Sequence, residues 1–141
     1  MTTIIATPTA IYSDSNVVDS NAVFKAQKIF RFRNRLVGCA GDADMCLAFQ
    51  EGMRLGRKPK IPPKTDEEER NFNALVVDKK GIWHFDSTFS GDLVLEPFMA
   101  VGTGADAARG AMMHGASPEQ AVEIACRIDS NSRGPVQVLT L

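Results

Sequence analysis

The sequence contains few of the residues from which common hydrolase and metal sites are built. Its two histidines, His84 and His114, and its three cysteines, Cys39, Cys46 and Cys126, show no metal-ligand spacing. A metal centre and a catalytic site of the Ser-His-Asp or Cys-His type are therefore disfavoured. A phosphate-binding loop is disfavoured as well, because no Gly-Lys-Ser or Gly-Lys-Thr segment occurs. We predict a protein that works without a metal or a cofactor.

The sequence also lacks an excess of one charge and a long apolar segment. Lys and Arg number 16 against 17 Asp and Glu, and the net charge of −1 predicts no nucleic-acid partner. No apolar run approaches the length of a membrane span, and the N-terminus lacks a signal-peptide pattern. The odd number of cysteines indicates free thiols in a reducing compartment. We predict a cytoplasmic protein without a membrane partner, and the length of 141 residues predicts one domain over residues 1–141.

Alternating apolar residues separated by turn signals predict strands at both ends of the chain and in its middle. The predicted strands cover residues 2–6, 10–14, 28–32, 36–39, 73–78, 81–86, 98–101 and 136–141. The side chains predicted to lie in the core include Ile5, Ile11, Ile29, Leu75, Val77 and Val138.

Apolar residues at helical spacing predict helices in two parts of the chain. One helix runs from Asp42 to near Gly56; the others cover residues 105–114 and the segment after Ser117, which begins with a capping box. The Thr65-Asp66-Glu67-Glu68 segment predicts one further helical turn. Helices clustered in two places among strands favour sheets that lie between helix layers.

Thr2 is the candidate nucleophile. Removal of Met1 leaves a hydroxyl and a free α-amine on this one residue. An α-amine has an unperturbed pKa of about 7.7–8.0, so near neutral pH it can accept the hydroxyl proton as the oxygen attacks a carbonyl. Such a unit needs no histidine. The same residues are equally typical of a first β-strand, and Thr2 alone does not establish an enzyme.

Six segments in order resemble proteasome β subunits, including the bacterial heat-shock peptidase that pairs with a separate unfoldase ring. They are Thr2-Thr3-Ile4-Ile5-Ala6, Tyr12-Ser13-Asp14-Ser15, Ala26-Gln27-Lys28-Ile29, Gly38-Cys39-Ala40-Gly41-Asp42-Ala43-Asp44, Val101-Gly102-Thr103-Gly104 and Arg127-Ile128-Asp129-Ser130-Asn131-Ser132. The resemblance implies an α+β fold, the four-layer αββα sandwich of N-terminal-nucleophile hydrolases. The region after Gly56 is too short for a second long helix beside the first, so one outer layer is expected to be thin.

The resemblance also implies catalytic roles. Thr2 is the implied nucleophile, Lys28 stabilises negative charge on its oxygen, and Asp14 holds Lys28 in its charged form. Asp129 and Ser132 lie beside the Thr2 amine. Two further residues, Gly41 and Thr103, complete the set.

Gly41, or the residue next to it, is implied to donate its backbone N–H to the oxyanion of the tetrahedral intermediate. Thr103 stands where the family usually has serine, and it still supplies a hydroxyl near the amine.

The family arrangement places Val17, Ala26, Phe30 and Cys46 in the pocket for the residue before the scissile bond, with Asp42 at its mouth. Mostly apolar walls predict a preference for hydrophobic side chains over acidic ones.

The implied activity is that of a threonine-type peptidase acting on polypeptides, as a homo-oligomeric ring or stacked rings, with an ATP-dependent unfoldase as a candidate partner. Two alternatives remain open at this point. One is a small-amide hydrolase of the same fold, and the other is a catalytically silent ring-forming scaffold.

Overall fold

A computed structural model describes residues 2–63 and 69–141, and within them the chain forms eleven strands and three helices. The strands are β1 (Thr3–Thr7), β2 (Ala10–Ser13), β3 (Asn16–Asp19), β4 (Ala22–Lys25), β5 (Ile29–Phe32), β6 (Arg35–Gly41), β7 (Phe72–Asp78), β8 (Gly81–Phe85), β9 (Gly91–Val94), β10 (Met99–Gly102) and β11 (Gln137–Thr140). The helices are α1 (Ala43–Leu55), α2 (Ala105–Met113) and α3 (Pro118–Ile128). The helical turn predicted at 65–68 lies outside the described residues.

The first sheet contains the N-terminal strand. It is antiparallel with the order β10-β1-β2-β11, so the two ends of the chain share one sheet. Thr3 on β1 is opposite Gly102 on β10, and Ile4 is opposite Ser13 on β2. This register brings Asp14, just after β2, close to the start of β1.

The second sheet is antiparallel with the order β5-β6-β7-β8-β9. Gly41 at the end of β6 is opposite Phe72 at the start of β7. Strands β3 and β4 form a separate two-stranded ribbon in which every residue of β4 is exposed.

Three apolar interfaces hold these elements together. The two sheets pack face to face through Ile4, Ala6, Ile11, Ile29, Leu36, Ala40, Leu75, Val77, Ile82 and Val101. The other face of the five-stranded sheet packs on α1, and Phe49 of that helix makes ring contacts with Phe72, Phe85 and Phe89. The other face of the four-stranded sheet packs on α2 and α3 through small residues such as Ala108 and Ala125.

Local signals account for the helix boundaries. Ser117 accepts a hydrogen bond from Gln120 N at 3.2 Å, and Gln120 Oε1 accepts one from Ser117 N at 3.0 Å, so the predicted capping box is present at the start of α3. Helix α1 ends at Gly56, whose left-handed backbone (φ 67°, ψ 30°) is the ordinary glycine termination of a helix.

Three strands were not predicted, and one predicted core residue is exposed. Strands β3, β4 and β9 carry little apolar alternation because most of their residues face solvent. Val138 is 39% exposed, so its placement in the core is wrong. Within the described residues its strand, β11, pairs only with β2 and lies at the sheet edge, where side chains have fewer neighbours. The other five predicted core residues are buried.

Candidate active site

The start of β1, the end of β2 and the residue before β5 meet at Thr2. Lys28 Nζ donates a hydrogen bond to Thr2 Oγ1 at 3.1 Å and contacts both carboxylate oxygens of Asp14 at 3.0 and 3.1 Å. All three side chains are buried. The structure therefore brings together the nucleophile, cation and anion predicted for catalysis, from positions separated by up to 26 residues.

Asp14 is held by backbone donors as well as by Lys28. Its Oδ1 accepts from Thr3 N at 2.9 Å, and its Oδ2 accepts from Asn16 N at 3.1 Å and Arg133 N at 3.3 Å. These donors offset the cost of burying a carboxylate whose side chain is fully inaccessible to solvent. They also orient Asp14, and through it they position the Lys28 ammonium against Thr2.

Gln137 on β11 holds the backbone at Lys28 and just before it. Its Oε1 accepts from Lys28 N at 3.0 Å, and its Nε2 donates to Ala26 O at 2.6 Å and to Ser15 Oγ at 3.0 Å. One amide thus ties the segment before β5 to the four-stranded sheet. This role was not predicted, because a glutamine near the C-terminus has no sequence signal that connects it to residue 28.

Burial and charge act in opposite directions on Lys28. Burial lowers the pKa of its ammonium below the ordinary value, while the neighbouring Asp14 carboxylate opposes that change by charge and by hydrogen bonding. A lysine in this setting keeps a charge-stabilised contact with Thr2 Oγ1, yet it releases a proton more readily than an exposed lysine does. Both properties suit a group beside a nucleophilic hydroxyl.

A second network of hydroxyls surrounds Asp129, just after α3. Asp129 Oδ2 accepts from Thr103 Oγ1 at 2.5 Å and from Ser132 Oγ at 2.7 Å, and Oδ1 accepts from Asn131 N at 3.2 Å. Burial acts to raise the pKa of Asp129, but these hydrogen bonds outweigh it and the pKa lies below its ordinary value.

This second network reaches the first strand through Thr3, which the sequence patterns did not single out. Ser132 Oγ and Thr3 Oγ1 are 2.8 Å apart. Three residues predicted to serve the Thr2 amine, Thr103, Asp129 and Ser132, are therefore joined to the residue that follows Thr2. Their contact with the amine itself stays a prediction.

Gly41 ends β6 with a backbone that only glycine tolerates. Its φ is +118°, and a Cβ at this position would lie 2.0 Å from Asn71 O. The next amide, Asp42 N, already donates to Asn71 O at 2.7 Å. Asp42 N, one of the two neighbours of Gly41, is therefore occupied, and the role of Gly41 N–H at the oxyanion stays a prediction.

A cavity of about 530 Å³ opens beside Thr2. It is lined by Thr2, Val18, Ala40, Gly41, Asp42, Ala43, Asn71, Asn73, Gly102 and Thr103. Gly102 allows close approach of β10, because a Cβ there would lie 1.8 Å from Thr2 O. The candidate nucleophile, the candidate oxyanion donor and Thr103 thus face the same space.

The residues predicted to bind substrate are not all brought to this cavity. Asp42 lines the cavity. Val17 does not, although its neighbour Val18 does. Phe30 stacks on Phe32 with ring centroids 5.6 Å apart, and Cys46 packs against the apolar cluster beneath α1.

Ala26 is half-buried and does not line the cavity; it is occupied by main-chain hydrogen bonds to Ser15 and Gln137. The binding roles of Val17, Ala26, Phe30 and Cys46 stay predictions. Asn71, just before β7, and Asn73, within it, also line the cavity; neither was predicted, since nothing local marks these positions as cavity residues.

Of the two histidines, His84 has a side-chain partner in the structure. His84 Nε2 and Asn73 Oδ1 are 2.9 Å apart, so this histidine is engaged in the second sheet. Within residues 2–63 and 69–141, no group of three or more His, Cys, Asp or Glu side chains could hold a metal ion. None of the helices in that part of the chain is long and apolar enough to cross a membrane.

Comparisons with known proteins identify the fold. No protein-family model matches the chain, and no curated protein matches its sequence. Among solved structures, BPH from Thiobacillus denitrificans in complex with epoxomicin superimposes with a TM-score of 0.78, and BPH alone with 0.72; each match has 19% identity and covers 99% of this chain and 97% of the other. Eukaryotic HslV from Trypanosoma brucei gives a TM-score of 0.68 at 19% identity, over 99% of this chain and 98% of that one.

These neighbours are proteasome-like peptidases. The chain therefore has the α+β fold of that class, and the resemblance predicted from its six sequence segments is confirmed at the level of the fold. At 19% identity the likeness establishes the fold alone.

Proposed function

We propose that this protein is a proteasome-like threonine endopeptidase that hydrolyses peptide bonds through an acyl-enzyme on Thr2. The observation that carries the proposal is the 3.1 Å contact of Lys28 Nζ with Thr2 Oγ1, with Asp14 behind the lysine. A buried lysine hydrogen-bonded to a hydroxyl beside an open cavity is the arrangement expected for an activated nucleophile. A threonine that serves only as the start of a strand requires no such partner.

The proposed reaction begins after Met1 is removed. The free Thr2 amine accepts the Oγ1 proton while the oxygen attacks the peptide carbonyl, and the Lys28 ammonium stabilises the charge that develops on Oγ1. Gly41 N–H donates to the oxyanion of the tetrahedral intermediate. The amine then gives its proton to the leaving nitrogen, which leaves an ester on Thr2. Water attacks this ester by the reverse sequence of proton transfers and releases the acid product.

The Asp129 network has a supporting role in this scheme. Its depressed pKa keeps the carboxylate ionised at neutral pH, so it accepts hydrogen bonds from Thr103 and Ser132 and fixes both hydroxyls. We propose that these groups orient the Thr2 amine and maintain the protonation state in which it can act as a base.

We also propose the four-layer αββα arrangement of N-terminal-nucleophile hydrolases. The helix-to-sheet, sheet-to-sheet and sheet-to-helix apolar interfaces support it. The proposed setting is a homo-oligomeric ring or pair of rings in the cytoplasm that encloses the sites and acts on polypeptides, with an ATP-dependent unfoldase as a candidate partner. The similarity to structures named HslV and BPH supports this setting.

The test combines intact mass, assembly and turnover. The purified protein should lack Met1, should form a multimer by native mass spectrometry, and should cleave fluorogenic peptides. Thr2→Ala should abolish cleavage, whereas Thr2→Ser, which keeps a hydroxyl and an amine, should retain it. A protein that retains Met1 and assembles without cleaving peptides would instead be a scaffold. A small open assembly that hydrolyses only short amides would be an amidohydrolase of the same fold.

A further inference from the structure

The wall of the Thr2 cavity is more polar than the sequence analysis predicted. Asp42, Asn71, Asn73 and Thr103 line it, while its apolar side chains are those of Val18 and two alanines. Among the lining residues Asp42 is the one with a charged side chain. The aromatic and thiol side chains expected to make the cavity apolar, Phe30 and Cys46, lie elsewhere.

The side chain of Asp42 does not form the hydrogen bond that is common for an aspartate at a helix N-cap. Asp42 is the N-cap of α1, where the donor of that bond would lie in the first helical turn. Its Oδ2 instead accepts from Asn71 N at 3.0 Å, across the cavity wall. In the part of the chain that the structure describes, no donor contacts the other oxygen, Oδ1. Asp42 is exposed, so this oxygen is open to solvent in the lining of the cavity that also contains Thr2.

In the described ranges 2–63 and 69–141, Asp42 forms no ion pair with a lysine or an arginine. Arg70 pairs with Asp44 at 3.6 Å, and Lys28 pairs with Asp14. The cavity beside Thr2 therefore has a net negative lining among the residues described.

The chemistry of the proposed acyl-enzyme determines which part of a substrate meets this wall. The residue whose carbonyl is attacked becomes covalently attached to Thr2 Oγ1, so its side chain must lie within a few ångströms of Thr2. The cavity of about 530 Å³ has room for a long side chain. Its alanines and Val18 can contact an aliphatic stem, and Asp42 can pair with a terminal cation.

We propose that Asp42 is a specificity-determining residue that selects substrates with lysine or arginine immediately before the scissile bond. The proposal rests on the proposed peptidase function of Thr2 and replaces the hydrophobic preference expected from the sequence. Acidic side chains are disfavoured, because they would bring a second negative charge beside Asp42, the one charged side chain among the described lining residues.

The experiment compares peptide aminocoumarin substrates that differ only in the last residue: Arg, Lys, Gln, Leu or Glu. Wild-type protein should cleave the Arg and Lys substrates fastest and the Glu substrate slowest. Asp42→Asn preserves the shape of the side chain and an oxygen that can accept from Asn71 N. It should lower kcat/KM for Arg about fivefold relative to Leu, the effect of one solvent-accessible charge pair. Asp42→Lys should rank Glu above Arg.

Two controls separate specificity from fold and from activity. Asp92→Asn makes the same change at an exposed position on β9, away from the cavity, and should leave the Arg-to-Leu ratio unchanged. Binding of peptide amides ending in Arg, Leu or Glu to the Thr2→Ala protein, measured by calorimetry, should follow the same order without turnover.

Faster cleavage after Leu than after Arg by wild type would overturn the proposal. An Asp42→Asn variant that loses Arg and Leu activity equally would overturn it too, since that result indicates a structural cap. In either case the peptidase assignment of Thr2 would survive. If no peptide is cleaved and none is bound in the Arg-preferring order, both proposals fail.

Discussion

Replacing Lys28 with methionine tests the centre of the proposed mechanism. The substitution keeps most of the aliphatic stem and removes the ammonium that lies 3.1 Å from Thr2 Oγ1 and 3.0 Å from Asp14 Oδ2. It should affect both turnover and stability, because the same charge contacts the nucleophile and a buried carboxylate. Each effect can be estimated separately.

The effect on turnover follows from the charge that develops on Thr2 Oγ1. Two unit charges about 3 Å apart interact by roughly 5 kcal/mol at an effective dielectric constant of about 20. Removal of a single hydrogen-bond donor to such a charge lowers kcat by about 10²–10³-fold in other hydrolases. We expect kcat/KM of Lys28→Met to fall at least about 10³-fold, because a charged donor is lost.

The effect on stability follows from the burial of Asp14. Breaking a buried ion pair by removing one partner costs about 3–5 kcal/mol, since the remaining charge is uncompensated. Asp14 keeps three backbone donors, so we expect a loss near the lower end, about 3 kcal/mol in the free energy of unfolding. Lys25→Met is the matched control. Lys25 is exposed on β4, and its replacement should change stability by less than about 0.5 kcal/mol.

Urea unfolding and fluorogenic peptide hydrolysis measure the two effects. Lys28→Arg should not restore turnover, because a planar guanidinium differs from a compact ammonium in reach and in acid–base behaviour. It should recover part of the stability by keeping a positive charge near Asp14. Turnover of Lys28→Met within tenfold of wild type, in protein shown by mass to lack Met1, would refute the role assigned to Lys28.

Three further predictions follow from particular residues. Gly41→Ala should lower the melting temperature and the activity together, because its Cβ would lie 2.0 Å from Asn71 O at a φ of +118°. The pKa of Asp129 is lowered in the folded state, so its contribution to stability is present above the unfolded value near 3.8 and is lost as pH falls through the folded value. Stability measured by urea unfolding from pH 6 to pH 2 should therefore decline less steeply in Asp129→Asn than in wild type, and equal slopes would contradict this. Burial, followed by the Asp14 charge, raises the pKa of Cys126 to about 11. Because the thiolate is the reactive form, iodoacetamide should alkylate Cys126 at pH 8 about 100-fold more slowly in native than in urea-unfolded protein. Peptide mapping by mass spectrometry measures both rates, and equal rates would contradict this prediction.

Most of the regular structure could be predicted from local sequence patterns. The strands around the Pro8-Thr9 and Arg33-Asn34 turns and the first two helices lie within about two residues of their predicted bounds, and the third helix begins where it was predicted. These elements have strong periodicity and clear end signals, such as Gly56 and the Ser117 capping box. The ribbon of β3 and β4 lacks both, because its residues are mostly exposed and its pairing depends on one hairpin.

For the candidate site, the identities of the residues could be predicted from the sequence, whereas their contacts could not. The identities of Thr2, Asp14 and Lys28 could be predicted from the sequence because each stands in a segment that resembles a known family. Their contacts, at 3.0–3.1 Å, depend on the pairing of β1 with β2 and on the placement of β5. The support that Gln137 gives to Lys28 joins residues 109 positions apart, which no local pattern encodes.

The chemical character of the cavity was determined by tertiary structure alone. From the sequence, Phe30 and Cys46 indicated an apolar pocket, because residue type and family position were the information available. In the folded chain these side chains pack against Phe32 and the α1 cluster, and polar residues such as Asp42, Asn71 and Asn73 line the cavity instead. Sequence patterns report which face of a strand is buried, whereas the contents of a cavity depend on which strand ends meet there, and that is decided by long-range pairing such as Gly41 with Phe72.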